Sequence, residues 1–198
     1  MTSKVNITTD ADAARINEAV SARTKLYRSQ KKMSLDELSR RAGVSKGMLV
    51  EIEGCRANPS IALLCRLASA MNVSVADFVN VAGKPAVHLI NAGDIPVLWK
   101  GEKGGSARLL AGTSGPDMVE LWEWVLYPGE TFESPGHPEG TSELLHVSGG
   151  TLTLVVSDTT YVISPGGAAV ARTDAPHAYM NSGTEVTVFT MTVNEKGR

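Results

Sequence analysis

SLDELSRRAGVSKGMLVEIEG, residues 34–54, is the stretch whose reading decides the fold of the first part of the chain. Ser34 precedes LDEL and has Glu37 three residues on, the pattern of a capping box, which predicts a short helix through Arg41 that Gly43 ends. After a turn of only a few residues, Ser45 opens a second helix, KGMLVEIE, which Gly54 closes. Leu35, Leu38, Val44, Leu49 and Ile52 are expected in the core. Ser45, Lys46, Gly47, Met48 and Glu51 are left on the outward side of the second helix.

Further along, Asn58-Pro59-Ser60 introduces a longer helix with Ile61, Leu64, Leu67, Ala68 and Met71 on one face, and Ser74 caps a last short one through Phe78. With the segment that begins at Arg15, these make five helices over residues 15–80. Residues 1–14 are polar and lack periodicity, as a mobile arm does. Near VAGKPAVHL the spacing of three and four gives way to alternation with many glycines and prolines, so residues 81–88 read as a linker. Beyond it, VELWEWVLYPGE, ELLHVSGGTLTLVVSD, TTYVISPGGAAVA and EVTVFTMTV read as strands with turns about every 8 to 12 residues. Residues 89–198 thus suit a small all-β sandwich or barrel. The expected fold class is α+β multidomain, a five-helix bundle followed by an all-β barrel.

The 198 residues are 42% apolar and 20% charged, which suits two small folded units rather than a disordered chain. No window approaches the roughly 18 apolar residues of a membrane span, and the N-terminus lacks the apolar core of a signal peptide; a cytoplasmic protein with no membrane partner is expected. Cys55 and Cys65 fit free thiols in a reducing compartment. The formal charge of −2 hides a split: residues 1–80 hold 12 Lys and Arg against 8 Asp and Glu, whereas residues 81–198 hold 7 against 13. A polyanion would prefer the first part. Two short helices around a tight turn can lay the second in the major groove of DNA. On that reading Lys46 donates to guanine, Glu51 accepts from a cytosine amino group and Met48 touches a thymine methyl, with Ser45 and Gly47 beside them. Lys31, Lys32, Arg40, Arg41, Arg56 and the backbone around Asn58 are candidates for phosphate contacts. A protein-interaction module is the other reading of such a bundle.

In the β part, GHPEGTSELLHVSGG, residues 136–150, sets His137 and Glu143 six positions apart ahead of a glycine pair. Either they hold a metal, or His137 is a loop residue and Glu143 caps backbone amides. Trp122 and Trp124 share a strand face, for core packing or for lining an effector pocket.

Two resemblances bear on these readings. Over roughly residues 20–80 the chain resembles the Xre family of helix-turn-helix repressors, in the start at Ser34, Glu37 and Leu38, the Ala42-Gly43-Val44-Ser45 turn, Leu49, Ile52, Glu53 and Gly54 of the second helix, and Asn58-Pro59-Ser60. Leu35 stands where many members carry a glutamine close to the DNA backbone. Members bind as dimers on half-sites about one helical turn apart, which implies double-stranded operator DNA as partner and a homodimer. Residues 85–195 resemble the cupins, double-stranded β-helix barrels: His137, Glu143 and Gly150 keep the spacing of the first motif, and His177, Asn181 and Gly166 match the second. Glu139 replaces the second histidine of the first motif, Gly129 lies farther from His137 than the pattern has it, and Arg172 and Asp174 replace a proline and a glycine.

The cupin resemblance implies that His137, Glu143 and His177 hold a divalent metal, zinc, iron or manganese, with open positions for water or a small chelating molecule. If residues 137–143 run extended into the next strand, His137, Glu139, Glu143, Leu145 and Val147 share one side, so Glu139 is a candidate fourth ligand or a solvent-facing loop residue. His177 is also explained as a hydrogen-bonded core histidine, and His88 and His146 as surface or structural residues. The two halves together resemble Xre–cupin transcription factors. That implies a DNA-binding regulator, not an enzyme, whose barrel takes a small-molecule effector such as a carboxylate or an amino acid. The alternatives are a dioxygenase-like metal-dependent enzyme, or a DNA-binding protein whose barrel only dimerises.

Overall fold

The structure, a computed structural model, describes residues 10–79, 87–115 and 117–196. Five helices come first: α1 (Asp10–Gln30), α2 (Leu35–Ala42), α3 (Lys46–Glu53), α4 (Ile61–Met71) and α5 (Val75–Val79). α1 begins before the expected Arg15, so residues 10–14 are helix rather than arm, while residues 1–9 of that arm and 81–86 of the expected linker lie outside the described residues. No helix among the described residues is long and apolar enough to cross a membrane. Cys55 and Cys65 are free.

The serines set the helix starts. Ser34, Ser45 and Ser60 are extended, and their hydroxyls accept from the N–H groups of Glu37, Met48 and Leu63, three of the donors that a helix start leaves unpaired. Gly43 ends α2 in the left-handed region at φ 62°. The capping box at Ser34 closes from one side, because the Glu37 carboxylate turns to the guanidiniums of Arg40 and Arg41, which offer charge-assisted bonds. Leu38, Leu49, Leu64, Leu67, Met71 and Phe78 are fully buried; Leu35, expected with them, is only half-buried. α1 is fixed to the end of α3 by a two-pronged pair, Arg28 to Glu53 at 2.6 and 2.9 Å, and by the Ser21 hydroxyl on the Glu53 carbonyl at 2.7 Å.

Ten strands follow: β1 (Val97–Lys100), β2 (Ser106–Gly112), β3 (Met118–Leu126), β4 (Thr131–Ser134), β5 (Ser142–Gly149), β6 (Leu152–Val156), β7 (Thr159–Ile163), β8 (Ala168–Arg172), β9 (His177–Met180) and β10 (Thr187–Glu195). They form two antiparallel sheets, one ordered β1-β2-β3-β10-β5-β8 and the other β4-β9-β6-β7. Alternation along β3 buries Met118, Glu120, Trp122, Trp124 and Leu126, and alternation along β5 buries Glu143, Leu145 and Val147 while turning Leu144 and His146 outward. Trp124 lies at the middle of a ring cluster, with the rings of Trp99, Trp122, Phe132, Tyr179 and Phe189 at centroid distances of 4.8–6.2 Å.

α5 joins the two halves. The Ala76 N–H donates to Glu120 Oε1 at 3.1 Å and the Gly115 N–H to Asp77 Oδ2 at 3.3 Å. A Cβ at Gly112 of β2 would lie 2.4 Å from the Ala76 Cβ, so only glycine allows this approach. Glu120 is 2% exposed. Burial pushes its carboxyl up to about 7, against the opposing hydrogen bonds from the Ala76 N–H and the Trp122 indole.

Two outcomes are expected. Gly112→Ala forces α5 off β2 and lowers stability by about 1–3 kcal/mol in urea denaturation, the cost of overpacking a close contact. Glu120, neutral when folded up to about pH 7, ionises in the unfolded chain near the ordinary value of 4.5; stability therefore falls as pH rises between these values and levels off above them. Denaturation midpoints across that range will show the fall in the natural protein and a flatter profile in Glu120→Gln.

Candidate metal centre and nucleic-acid interface

Three side chains meet inside the barrel from separate pieces of backbone. Glu143 lies within β5, opposite Val193 of β10 and Ala171 of β8, and its side chain is fully buried. His177 opens β9 in the other sheet, opposite Ser134 and Val156. His137 follows β4 in a loop held by its own N–H on the Thr173 carbonyl at 2.9 Å. The Nε2 atoms of His137 and His177 lie 3.3 and 3.8 Å from the same oxygen, Glu143 Oε1. One ligand atom from each residue lies within 4.8 Å of the others. Bonds of about 2.1 Å to a shared ion allow two ligand atoms up to about 4.2 Å apart, so the 3.3 and 3.8 Å separations fit as they stand, and the two imidazole nitrogens, within 4.8 Å of each other, need at most a small ring movement.

The neighbours of these residues aim them. His177 Nδ1 lies 2.9 Å from the Ala175 carbonyl, which can only accept. In the neutral ring the proton therefore sits on Nδ1 and the Nε2 lone pair faces Glu143. The Tyr179 hydroxyl donates to Glu143 Oε2. Among the described residues that leaves His177 Nε2 buried without a hydrogen-bond partner, and Glu143 Oε1 buried with only the His137 ring at 3.3 Å and the His177 ring at 3.8 Å facing it. Buried polar atoms are nearly always paired, and two acceptors converging on one point suit a cation between them. Burial lowers the His177 pKa, opposed by the Glu143 charge and the Ala175 carbonyl, and so favours the neutral ring that a metal binds. Burial acts the same way on His137, but the adjacent Glu143 carboxylate, then Glu195 and Glu120, outweigh it and the net shift is upward. Tyr179 is raised well above 10, first by burial and then by the Glu143 charge, and remains a donor.

Glu139 does not join the group. Residues 137–143 do not run extended, because the Thr141 N–H closes a turn on the Pro138 carbonyl at 3.1 Å and Gly140 takes φ 84°. This turn breaks the shared parity and leaves Glu139 exposed. Asn181 is structural, its amide donating to the Leu126 and Glu185 carbonyls at 2.8 Å. Trp122 and Trp124 are buried and packed; Trp124 lies 5.6 Å from Tyr179, and the Trp122 indole donates to Glu120. Tyr179 escaped the sequence reading, although it lies two residues after His177 on the same strand and so shares its side. His88 and His146 are exposed.

In the bundle, Ser45, Lys46, Gly47 and Met48 are exposed at the start of α3, with Ser45 occupied as its cap. Lys46 pairs with Asp36 at 2.9 Å, Arg56 with Glu51 at 2.9 Å, and Arg40 with Glu37 at 2.8 Å. The paired arginines hold the Glu37 and Glu51 carboxyls below their ordinary range through hydrogen bonds. Arg40, Arg56 and Asn58 lie exposed around this helix start. Exposed pairs of this kind contribute little to stability.

A helix-turn-helix family model matches residues 25–78, and a cupin-domain model matches residues 122–193. The chain is a helix-turn-helix domain joined to a cupin domain. Its five helices and two sheets are that architecture. Over both domains it is similar to the HTH-type transcriptional regulator SutR of Escherichia coli (strain K12), 25% identical over 171 residues that cover 86% of this chain and 91% of that protein. The helix-turn-helix domain is similar to the HTH-type transcriptional regulator SinR of Bacillus licheniformis, 40% identical over 62 residues, which span 31% of this chain and 56% of SinR. The fold is also that of an HTH_3 family transcriptional regulator from Vibrio cholerae, with TM-score 0.70 and 23% identity over 92% of this chain and 98% of the other.

In the cupin domain, Tyr179→Phe removes the donor to a buried carboxylate oxygen. It is expected to lower the stability of the protein by about 1–3 kcal/mol, measured by urea denaturation.

Proposed function

We propose that the protein is a DNA-binding transcriptional regulator whose cupin domain holds a divalent ion, zinc, iron or manganese, on His137, Glu143 and His177, and whose affinity for operator DNA depends on what the barrel has bound. One observation carries the metal reading: two imidazole nitrogens face one buried oxygen, Glu143 Oε1, at 3.3 and 3.8 Å, and His177 Nε2 is buried with no hydrogen-bond partner among the described residues. A bound ion would supply open coordination positions to a small chelating effector, a carboxylate or an amino acid. The chain's own residues do the rest. The Ala175 carbonyl fixes the His177 tautomer, Tyr179 orients Glu143, and the packed rings around Trp124 keep bulk water out.

The DNA reading is supported by the serine-capped, exposed start of α3, by the excess of cations in residues 1–80, and by relatives named as transcriptional regulators. A homodimer would present two such helices to half-sites one turn of duplex apart. Effector binding then changes operator affinity by the ratio of its affinities for the two arrangements of the dimer.

The test uses the full chain and duplexes selected from a random pool, with and without Mn(II) or Zn(II). Operator binding should weaken steeply with salt, and Lys46→Ala should cost about 1–3 kcal/mol of it. Elemental analysis should find about one ion per chain, as a single-site centre requires. The double variant His137→Ala, His177→Ala should lose the ion and any metal-dependent change in operator affinity, yet still bind DNA when metal-free. A full complement of ion in that double variant would sink the proposed centre.

A further inference from the structure

We infer that Glu120 is the relay between the metal centre and the DNA-binding bundle, gripping α5 with one carboxylate oxygen and the barrel's aromatic interior with the other. The inference rests on the metal-centre reading above and adds how that centre would be felt some distance away. Starting at the centre, Glu143 Oε2 accepts the Tyr179 hydroxyl. The Tyr179 ring packs on Trp124 at 5.6 Å, and Trp124 stacks on Trp122 at 6.2 Å with 30° between the planes. The Trp122 indole N–H donates to Glu120 Oε2 at 3.2 Å, and Glu120 Oε1 accepts the Ala76 N–H at 3.1 Å. From α5, Phe78 meets Tyr27 of α1 edge-on at 6.0 Å, and α1 holds the end of α3 through Arg28 and Glu53. Tyr179, Trp124, Trp122, Glu120, Ala76 and Phe78 along this run are all buried.

Two features make Glu120 the relay rather than a passive neighbour. Its two oxygens serve different domains, so a movement of Trp122 changes the bond geometry available to α5. The close approach of Gly112 to Ala76 means that a movement of β2 toward α5 pushes on the helix. Close-packed interiors of this kind pass displacements on between discrete arrangements. A reorientation of the Glu143 carboxylate on capturing an ion is therefore transmitted to the helix that seats the bundle.

The test is amide hydrogen exchange on the full chain, metal-free and saturated with Mn(II), with saturation confirmed by calorimetry, in the natural protein, Glu120→Gln and Trp122→Phe. Exchange in the peptide spanning residues 74–79 is expected to change by about threefold or more on saturation of the natural protein. In Glu120→Gln, which lies outside the centre, the same saturation should leave that peptide unchanged, with Mn(II) affinity within about threefold of the natural value. Trp122→Phe keeps a packed ring but loses the N–H and should behave likewise. An unchanged peptide in the saturated natural protein overturns the relay while leaving the centre intact, as does an undiminished change in both variants. Failure of any ion to bind overturns the centre and the relay with it. A responsive peptide with unaltered operator affinity upholds the relay and defeats the regulatory reading instead.

Discussion

A carboxylate with no exposed surface, placed in an apolar barrel, is the constraint on which the β half depends. Taking such a charge from water costs several kcal/mol unless partners replace the lost hydration. Tyr179 satisfies one oxygen of Glu143, and the other faces two imidazoles, one of which has its proton committed to a backbone carbonyl on the far side of the ring. The arrangement therefore concentrates acceptor atoms at one point. A barrel built only to join two subunits has no need of this, since an apolar residue at position 143 would pack the same strand without the desolvation cost. The chemistry of the donor set, two nitrogens and one oxygen, matches ions of intermediate softness.

The bundle solves a different problem, that of exposing one helix start without loosening the helices behind it. α3 is only eight residues long and too short to be stable alone. It holds its shape because Ser45 caps it, Leu49 and Ile52 bury its inner side, and Glu53 anchors its end to Arg28 of α1. The exposed cations around it are paired with carboxylates in the free protein. Exposed pairs of this kind contribute little to stability, so separating them costs the fold little.

Between the halves, α5 is the element with obligations to both. All five of its residues are buried, it packs on α1 and α4, and a carboxylate of the barrel accepts one of its first N–H groups. A polar contact at a domain junction constrains orientation in a way an apolar one does not, because a hydrogen bond weakens steeply once its angle falls below about 120° whereas apolar surfaces slide.

The sequence by itself determined the serine-capped starts of α2, α3 and α4, the strand alternation and the two-part organisation, while His137, Glu143 and His177 were singled out through the cupin resemblance. Capping and periodicity are local properties, set by a side chain's reach to amides three residues away or by the side of a strand on which it falls. Only the tertiary structure decided that a tight turn at Gly140 ejects Glu139, that Tyr179 rather than a backbone amide satisfies Glu143, and that Arg28 reaches Glu53. It also decided that Ala76 meets Glu120 across 44 positions of chain. Such contacts depend on how sheets and helices stack, a sum of many weak packing terms spread over the whole chain, and no short stretch of residues encodes it.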